Sequence, residues 1–334
     1  MNRQPLISVI IPAHNYAAYL PASIGSVTGQ TYSNIEILVI DDASEDNTKE
    51  IVNKLSATDP RISYHYQEKS GPTVARNRGI KLAKGEFIQF LDADDFLEKE
   101  KFEKQIQVFS EHPENDIVYG GVNYFHNDRP GDFFNNLELK PGKTWMPCVS
   151  GMGDEMVMAL LKENIMVISS PLVRKSLFDK YGAMDESLLF NEDWELWLRF
   201  AINNAVFYFA DIPSTNALIR VHTSYSRDNF KMFVFGLKVC LEAAKKLTSY
   251  SFRKILVPKI NYHIKVIDQK LLSMQKEDSR KAENQAELVY KTCGLEKYKR
   301  YSRHFMHRPV WLNSLLLKSG AVFRKSKSIL MYGA

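Results

Sequence analysis

The sequence predicts an α/β protein: a Rossmann-like, mostly parallel sheet flanked by helices, followed by a helical and basic C-terminal extension. Three observations carry this prediction. Short, nearly continuous Val/Ile/Leu runs alternate with helical patterns over the first 125 residues, as strands buried on both faces and linked by helical crossovers do. Several of these runs end abruptly in polar or acidic residues, at the strand edge where open α/β sheets bind ligands. Beyond Ser226 the pattern is helical, with Lys and Arg throughout.

Strands are expected at residues 7–11, 35–40, 62–66, 87–91 and 117–124, and helices at about 17–28, 46–57, 73–83 and 99–109. Pro72 stands just inside a helix start and Gly85 just after a helix end, the positions these residues prefer. Residues 126–150 are rich in Asn, Asp, Gly and Pro and read as a long loop, of a length that often serves as a lid. A helix at about 154–162, an apolar strand around 165–169 and a helix from Leu172 follow.

At 334 residues, 45% hydrophobic and 25% charged, the chain has ordinary globular values and length for one large domain, 1–225, and a smaller one, 226–334. The apolar run at residues 6–11 ends at Pro12, too short for the core of a signal peptide. No run reaches the ~18 apolar residues that a membrane-spanning helix needs. Cys148, Cys240 and Cys293 are odd in number and far apart, so reduced thiols in a cytoplasmic protein are expected.

Charge is distributed unevenly. Residues 1–225 hold 21 Lys+Arg against 31 Asp+Glu, a net of −10, and residues 226–334 hold 23 against 8, a net of +15. A basic appendage suggests an anionic partner; nucleic acid is not expected. Residues 305–334 interleave apolar side chains such as Trp311, Leu315 and Leu316 with Arg308, Lys318 and Arg324. That pattern fits an interfacial helix in peripheral contact with an anionic membrane, or a helix packed back on the acidic domain.

The sharpest polar signal is FIQFLDADDFL, where a strand runs straight into Asp92, Asp94 and Asp95. An Asp-x-Asp at a strand's carboxyl end offers hard oxygen ligands for Mg²⁺ or Mn²⁺, and such a metal usually carries substrate phosphates. A solvated loop capping the next helix is the plainer alternative. SVIIPAHN sets Pro12, His14 and Asn15 at the end of the first strand; Pro12 should end the ladder, and Asn15 should cap the following helix, whose amides favour an anion. LVIDDASEDNT sets Asp41 and Asp42 at the end of the second, where acids suit hydrogen bonds to a ribose or a base edge; Asp46 starts a helix.

GPTVARNRG opens a helix carrying Arg76, Asn77 and Arg78. One arginine could face the cleft and pair with the first acids or with a nucleotide, while Arg78 reads as a solvated face. FNEDWELWLRFA puts Glu192 and Asp193 ahead of Trp194 and Trp197, which share a helical face. A carboxylate there suits a general base, or is half of an N-cap pair. IRVHTSYS gives Arg220 and His222, alternating and so on one side of a strand. The histidine is either structural or placed to ligate a metal or bind a diphosphate.

Taken in order, SVIIPAHNYAAYLPASIGSVTGQTYSNIEILVIDDASEDNT, GPTVARNRGIKLAKGEFIQFLDADD, GAMDESLLFNEDWELWLR and IRVH resemble glycosyltransferase family 2, the inverting nucleotide-sugar transferases of GT-A fold. The matching segments span residues 6–225; residues 126–165 and 226–334 follow no shared family pattern. The resemblance implies that Pro12, Asn15, Asp42 and Arg76 help form the nucleotide pocket, with Asp41 beside them and Asp42 on the base. It implies that Asp92 approaches the ribose and that Asp94 holds a divalent metal, Mn²⁺ or Mg²⁺, bridging the diphosphate. Asp193 would deprotonate the acceptor hydroxyl, and Arg220 and His222 would lie close to the diphosphate, His222 as a second metal ligand.

The expected donor is a nucleotide-sugar, a UDP-sugar by resemblance, and the expected acceptor a glycan or lipid-linked glycan. The Gln-x-x-Arg-Trp motif of processive synthases is absent, which favours adding one sugar or a few. Two other classes compete. A nucleotidyltransferase would carry a Gly-rich basic loop near the N-terminus, where this chain has AHNYAAY. A catalytically idle nucleotide-sugar-binding protein would have no use for both the DAD and the ED carboxylates.

Overall fold

The apolar runs become the core strands of a central sheet. In chain order, β1 (Ile7–Ala13), α1 (Leu20–Thr28), β2 (Ile35–Asp42), α2 (Thr48–Ser56), β3 (Ile62–Gln67), α3 (Pro72–Leu82) and β4 (Phe87–Phe90) alternate strand and helix. The structure, a computed structural model, describes residues 4–222 and 229–299, and the chain divides into two units, Met1–Tyr225 and Ser226–Ala334. The first is completed by β5 (Phe96–Leu97), α4 (Lys101–Glu111), β6 (Ile117–Tyr119), β7 (Val122–His126), β8 (Arg129–Phe134), α5 (Gly153–Lys162), β9 (Pro171–Arg174), α6 (Lys175–Tyr181), α7 (Glu192–Ile202), β10 (Phe207–Phe209) and β11 (Ala217–Val221).

The central sheet has the order β10-β6-β9-β4-β1-β2-β3. All pairs are parallel except those of β9, which runs antiparallel to β4 and β6. From β1 the sheet grows through β2 to β3 on one side and resumes with β4 on the other. That switch opens a crevice at the carboxyl ends of β1 and β4, the place where such sheets take ligands. Ile7, Val9, Ile11, Ile37, Val39, Phe87 and Leu91 belong to the core that fixes these strand ends.

A second sheet, β5-β11-β7-β8, lies after the acid-rich loop. Residues 117–124, expected as one strand, are divided between the two sheets at Gly120–Gly121. A side chain at Gly120 would come within 2.5 Å of the Thr215 carbonyl, and one at Gly121 within 2.5 Å of Asn216 Oδ1. The two glycines let the chain before β11 cross the strand closely, and the strand changes sheet there. Residues 126–150, expected as a loop, contain β8, joined to β7 by the two-residue turn Asn127–Asp128. Pro130 is accommodated because β8 is an edge strand.

The strand expected at 165–169 is instead irregular, with the strand at Pro171–Arg174 and the helix starting at Lys175 rather than Leu172. Ile165, Met166 and Ile168 are buried, the Ser170 amide turns back to the Val167 carbonyl at 3.1 Å, and side chains take the carbonyls at the end of the segment. Gln89 donates to the Ser169 carbonyl at 2.8 Å, Lys101 Nζ to that of Ser170 at 2.6 Å, and Ser170 Oγ to that of Gly120 at 2.7 Å. Burial, only partly offset by the Glu98 carboxylate, holds the Lys101 ammonium well below the usual lysine range. Both ends of the 163–170 segment are thereby fixed, one by α5 and the other by these buried bonds.

In the second unit the described residues form α8 (Asn229–Lys246), α9 (Tyr250–Glu277) and α10 (Ser279–Cys293). Leu256, Ile260, Ile267 and Leu271 form the buried stripe of α9 and Ala282, Ala286 and Val289 that of α10. Asp278 caps α10, accepting from the Arg280 and Lys281 amides at 2.9 and 3.1 Å. Asp268 fixes the chain after α10 by accepting from Lys297 Nζ at 2.8 Å and the Tyr298 hydroxyl at 2.9 Å. Among the described residues no helix is long and apolar enough to cross a membrane. The basic stretch 305–334 lies outside the described residues.

Candidate active site

The loops at the carboxyl ends of β1, β2 and β3 are tied together by acids. β1 runs through Pro12, which pairs with Ile40, to Ala13 beside Asp41, so Pro12 does not end the strand. Ile10 accepts from the Leu91 amide on the β4 side, where pairing stops at Phe90. Two residues on, Pro12 faces the same vacated side, so its missing N–H forfeits no ladder bond. Asn15 does not cap α1, whose N-cap position is Tyr19. It takes a left-handed backbone, φ 59°, and its Oδ1 accepts from the Glu45 amide at 2.8 Å, linking the β1 and β2 loops.

Asp41 accepts from the Tyr64 hydroxyl at 2.6 Å and the Ser44 amide at 2.9 Å. Asp42 Oδ1 accepts from Gln67 Nε2 at 2.8 Å and the Ser70 amide at 2.7 Å, and its Oδ2 from the Gly71 amide at 2.8 Å. Gly71, at φ 92°, makes the turn that presents this amide and starts α3. Both acids are buried at the carboxyl end of β2. His14 Nδ1 lies 2.7 Å from the Asp42 carbonyl, which can only accept, so the proton sits on Nδ1 and Nε2 accepts from Lys69 Nζ at 3.1 Å.

The acid loop after β4 gathers residues from distant segments. Asp94 Oδ2 lies 2.7 Å from His222 Nε2, and Arg220 Nε donates to the Asp94 carbonyl at 2.9 Å. The two residues read as sharing one side of a strand thus both meet Asp94. The Arg220 guanidinium is enclosed by Tyr19, Phe96 and Phe125, 4.7–5.0 Å from their ring centres. Asp95 is buried and accepts from the Arg220 amide at 2.9 Å. Burial, then repulsion from Asp94 and Asp92, pushes Asp95 well above the usual carboxylate range, and Asp94 is raised mainly by burial too. Tyr16, half-buried beside these acids, is pushed up to about 12 by burial and by Asp94 and Asp92.

Arg76 joins this loop to the start of α7. Its two terminal nitrogens donate to Asp92 Oδ1 at 2.7 Å and Glu192 Oε1 at 3.0 Å. Thr73, Arg76, Asn77 and Ile80, at i, i+3, i+4 and i+7, form the buried face of α3. On that face Asn77 also grips Met184, exchanging 2.9 Å bonds with both its backbone groups, and donates to Glu186 Oε1 at 2.9 Å. Arg78 turns away and donates to the Tyr66 carbonyl. One helix face therefore positions the whole approach to α7.

Asp193 is half-buried at the first turn of α7. Its Oδ1 accepts from the Trp194 amide at 2.7 Å and its Oδ2 from Asn164 Nδ2 at 2.9 Å. Burial and the neighbouring Glu192 carboxylate push Asp193 up to about 7, against the pull of its hydrogen bonds and of Arg76. Asn164 is not among the residues to which the sequence points; its only signal is a polar side chain directly before a buried apolar run.

Whether a metal suits the acid loop is a question of donor chemistry. Among the described residues no group of three or more His, Cys, Asp or Glu is arranged to hold a metal ion. Asp94 and His222 do offer an oxygen and a nitrogen in direct contact, beside carboxylates raised by crowding. That fits an ion completing its shell with substrate phosphates and water.

Known proteins align with this architecture. Residues 8–181, more than half of the chain, match Glycosyl transferase family 2. A glycosyltransferase of Rickettsia typhi, itself uncharacterized, is 35% identical over 205 residues, covering 61% of each chain; this chain thus spans about three-fifths of that relative's length. S. aureus TarS 1-349 in complex with UDP-GlcNAc superposes with a TM-score of 0.65 at 20% identity, covering 86% of this chain and 81% of that one. Mannosyltransferase PcManGT from Pyrobaculum calidifontis, in complex with GDP-Man and Mn²⁺, gives a TM-score of 0.53 at 16% identity, covering 100% of this chain and 89% of that one. With its central sheet, its switch point and its acid loop after β4, this is a GT-A fold, and the chain belongs to glycosyltransferase family 2.

Proposed function

We propose that this protein is an inverting, non-processive glycosyltransferase that moves a hexosyl or N-acetylhexosaminyl group from a nucleotide-sugar to a hydroxyl of a glycan or lipid-linked glycan in cell-surface polysaccharide synthesis. The observation that supports this reading is the Arg76 bridge: one buried guanidinium pairs with Asp92 of the acid loop and with Glu192, whose neighbour Asp193 is poised at about 7. Pro12, Asn15, Asp41 and Asp42 form the nucleotide pocket, Asp42 keeping an oxygen with a single protein donor for the base. Asp92 faces the ribose, and Arg220 holds the acid loop in place through the Asp94 carbonyl.

Asp94 and His222 would hold a divalent ion, Mn²⁺ or Mg²⁺, which when bound neutralises charge building on the departing diphosphate. Asp193 is the base. Its carboxylate takes the proton of the acceptor hydroxyl, the freed oxygen bonds the anomeric carbon, and the bond to the diphosphate breaks with its electrons leaving on phosphate. A single displacement of this kind inverts the anomeric centre and forms no covalent enzyme intermediate. A carboxylate near neutrality is well matched to the task.

The donor is a UDP-sugar, a reading the UDP-GlcNAc complex of TarS supports. Release of nucleoside diphosphate is measured across UDP-, GDP- and dTDP-sugars with Mn²⁺ or Mg²⁺, and the product anomer is assigned by NMR. Pyrophosphate release would favour a nucleotidyltransferase, and no turnover with any donor a binding protein. The protein is placed in the cytoplasm, with residues 305–334 in peripheral contact with an anionic membrane; co-sedimentation with anionic vesicles, lost on truncation near Lys299, is the corresponding test.

A further inference from the structure

The amide of Asn164 is arranged unusually. Its Nδ2 donates to Asp193 Oδ2 at 2.9 Å, while its Oδ1 is buried without a hydrogen-bond partner among the described residues. A buried carbonyl left unpaired is unfavourable, and it sits on a side chain that donates to the reacting carboxylate. The segment carrying it follows α5 directly and is tied at its far end by the Gln89, Lys101 and Ser170 bonds.

We propose that Asn164 is a positioning residue that holds Asp193 in both of its protonation states. Before transfer Asp193 is a carboxylate, which only accepts, and Asn164 presents Nδ2–H to it. After transfer Asp193 carries the acceptor's proton as a carboxylic O–H. Turning the amide by half a rotation then offers the idle Oδ1 as acceptor, so the protonated base keeps its partner. The inference rests on Asp193 being the base. The charged groups acting on Asp193 are Glu192 on its own helix and Arg76 on α3; Asn164 adds a neutral donor that favours the ionised form.

The test compares Asn164→Leu, which keeps size and loses both amide groups, with Asn164→Ser, which keeps a donor, and with Asp193→Asn. Transfer kinetics are recorded from pH 5 to 9. Asn164→Leu is expected to lower kcat by about 10- to 100-fold, the worth of a hydrogen bond to a charged group, with the donor KM unchanged. The acid limb of its kcat/KM profile should move up by about one pH unit, because the ionised base has lost its donor. Asn164→Ser should recover part of both effects, and serves if the leucine variant does not fold.

A uniform loss at all pH values with the limb unmoved, or a loss confined to KM, would overturn the proposal and leave Asn164 a packing residue. If Asp193→Asn itself turns over normally with the limb in place, the base assignment fails and the inference with it. An inactive Asp193→Asn beside a normal Asn164→Leu sinks the inference alone.

Discussion

The loop after β4 and the start of α7 both set acids side by side beneath one guanidinium, yet the two behave differently. In the loop, Asp92 takes Arg76, and Asp94 and Asp95 are left crowded, both raised by burial and by their neighbours' charge. At α7, Glu192 takes Arg76, and Asp193 is left with two neutral donors, the Trp194 amide and Asn164. A carboxylate's role is thus decided by what remains once its neighbour has claimed the cation. Crowded acids with too little positive charge suit a metal and a diphosphate. A half-buried acid held only by amides, near pH 7, suits proton transfer.

The strongest way to sharpen that contrast is Asp193→Asn. The Asn164 amide can turn to present Oδ1 to the new NH₂ group, so the substitution should leave the local fold intact. Loss of a general base lowers kcat by about 10²–10⁴-fold, while calorimetric donor binding should be unchanged. Near-normal turnover would assign the base elsewhere.

Arg76→Met breaks both regions at once. Asp92, partly exposed, and Glu192, half-buried, lose the buried cation they share, and two hydrogen bonds between charged groups make the expected loss about 1.5–3 kcal/mol. Urea denaturation should register that loss, and adding Glu192→Gln should recover part of it; a loss below about 1 kcal/mol would mean the bridge is solvent-screened. Asp94→Ala touches only the acid loop. It should weaken Mn²⁺-dependent UDP binding and transfer together, by at least the ~10–100-fold that lesser disturbances of a metal site bring. Wild-type transfer undiminished in a chelator would make the protein's own cations sufficient for the leaving group.

The parts of this arrangement legible in the sequence are those written locally. β1 and β2 follow apolar, β-branched runs and β4 a short apolar one, and the acids that end β2 and follow β4 stand where the sequence has the strands stop. What is illegible depends on distant partners. Residues 165–169 are as apolar as a strand, but Gln89 takes the Ser169 carbonyl and Lys101 that of Ser170 just beyond it, and an apolar run carries no mark of that. Gly120–Gly121 give no warning that Thr215 and Asn216 press against them. Asn15 looks like a helix cap and bonds instead to a loop 30 residues away. Asn164 meets Asp193 across 29 residues of sequence, a contact only the packing of α5 beside α7 creates.

The smallest expected effect concerns stability, and its sign opposes the effect on rate. Asp193 stands at about 7 in the folded chain against an ordinary 3.8. Between those values the folded chain holds a proton that the unfolded chain has released, so stability falls as pH rises through the window and stays lower above it. Asp193→Asn removes this penalty. The variant should therefore melt above the parent at pH 8, by only a few degrees because water reaches the half-buried carboxylate and screens much of the penalty, and level with it near pH 3.5. Such a trade of stability for activity is what a functional carboxylate held against its preference produces. Melting points that differ by the same amount at both pH values would mean Asp193 is not held near neutrality. The start of α7 would then be an N-cap pair, and its acids would differ from those after β4 only in number.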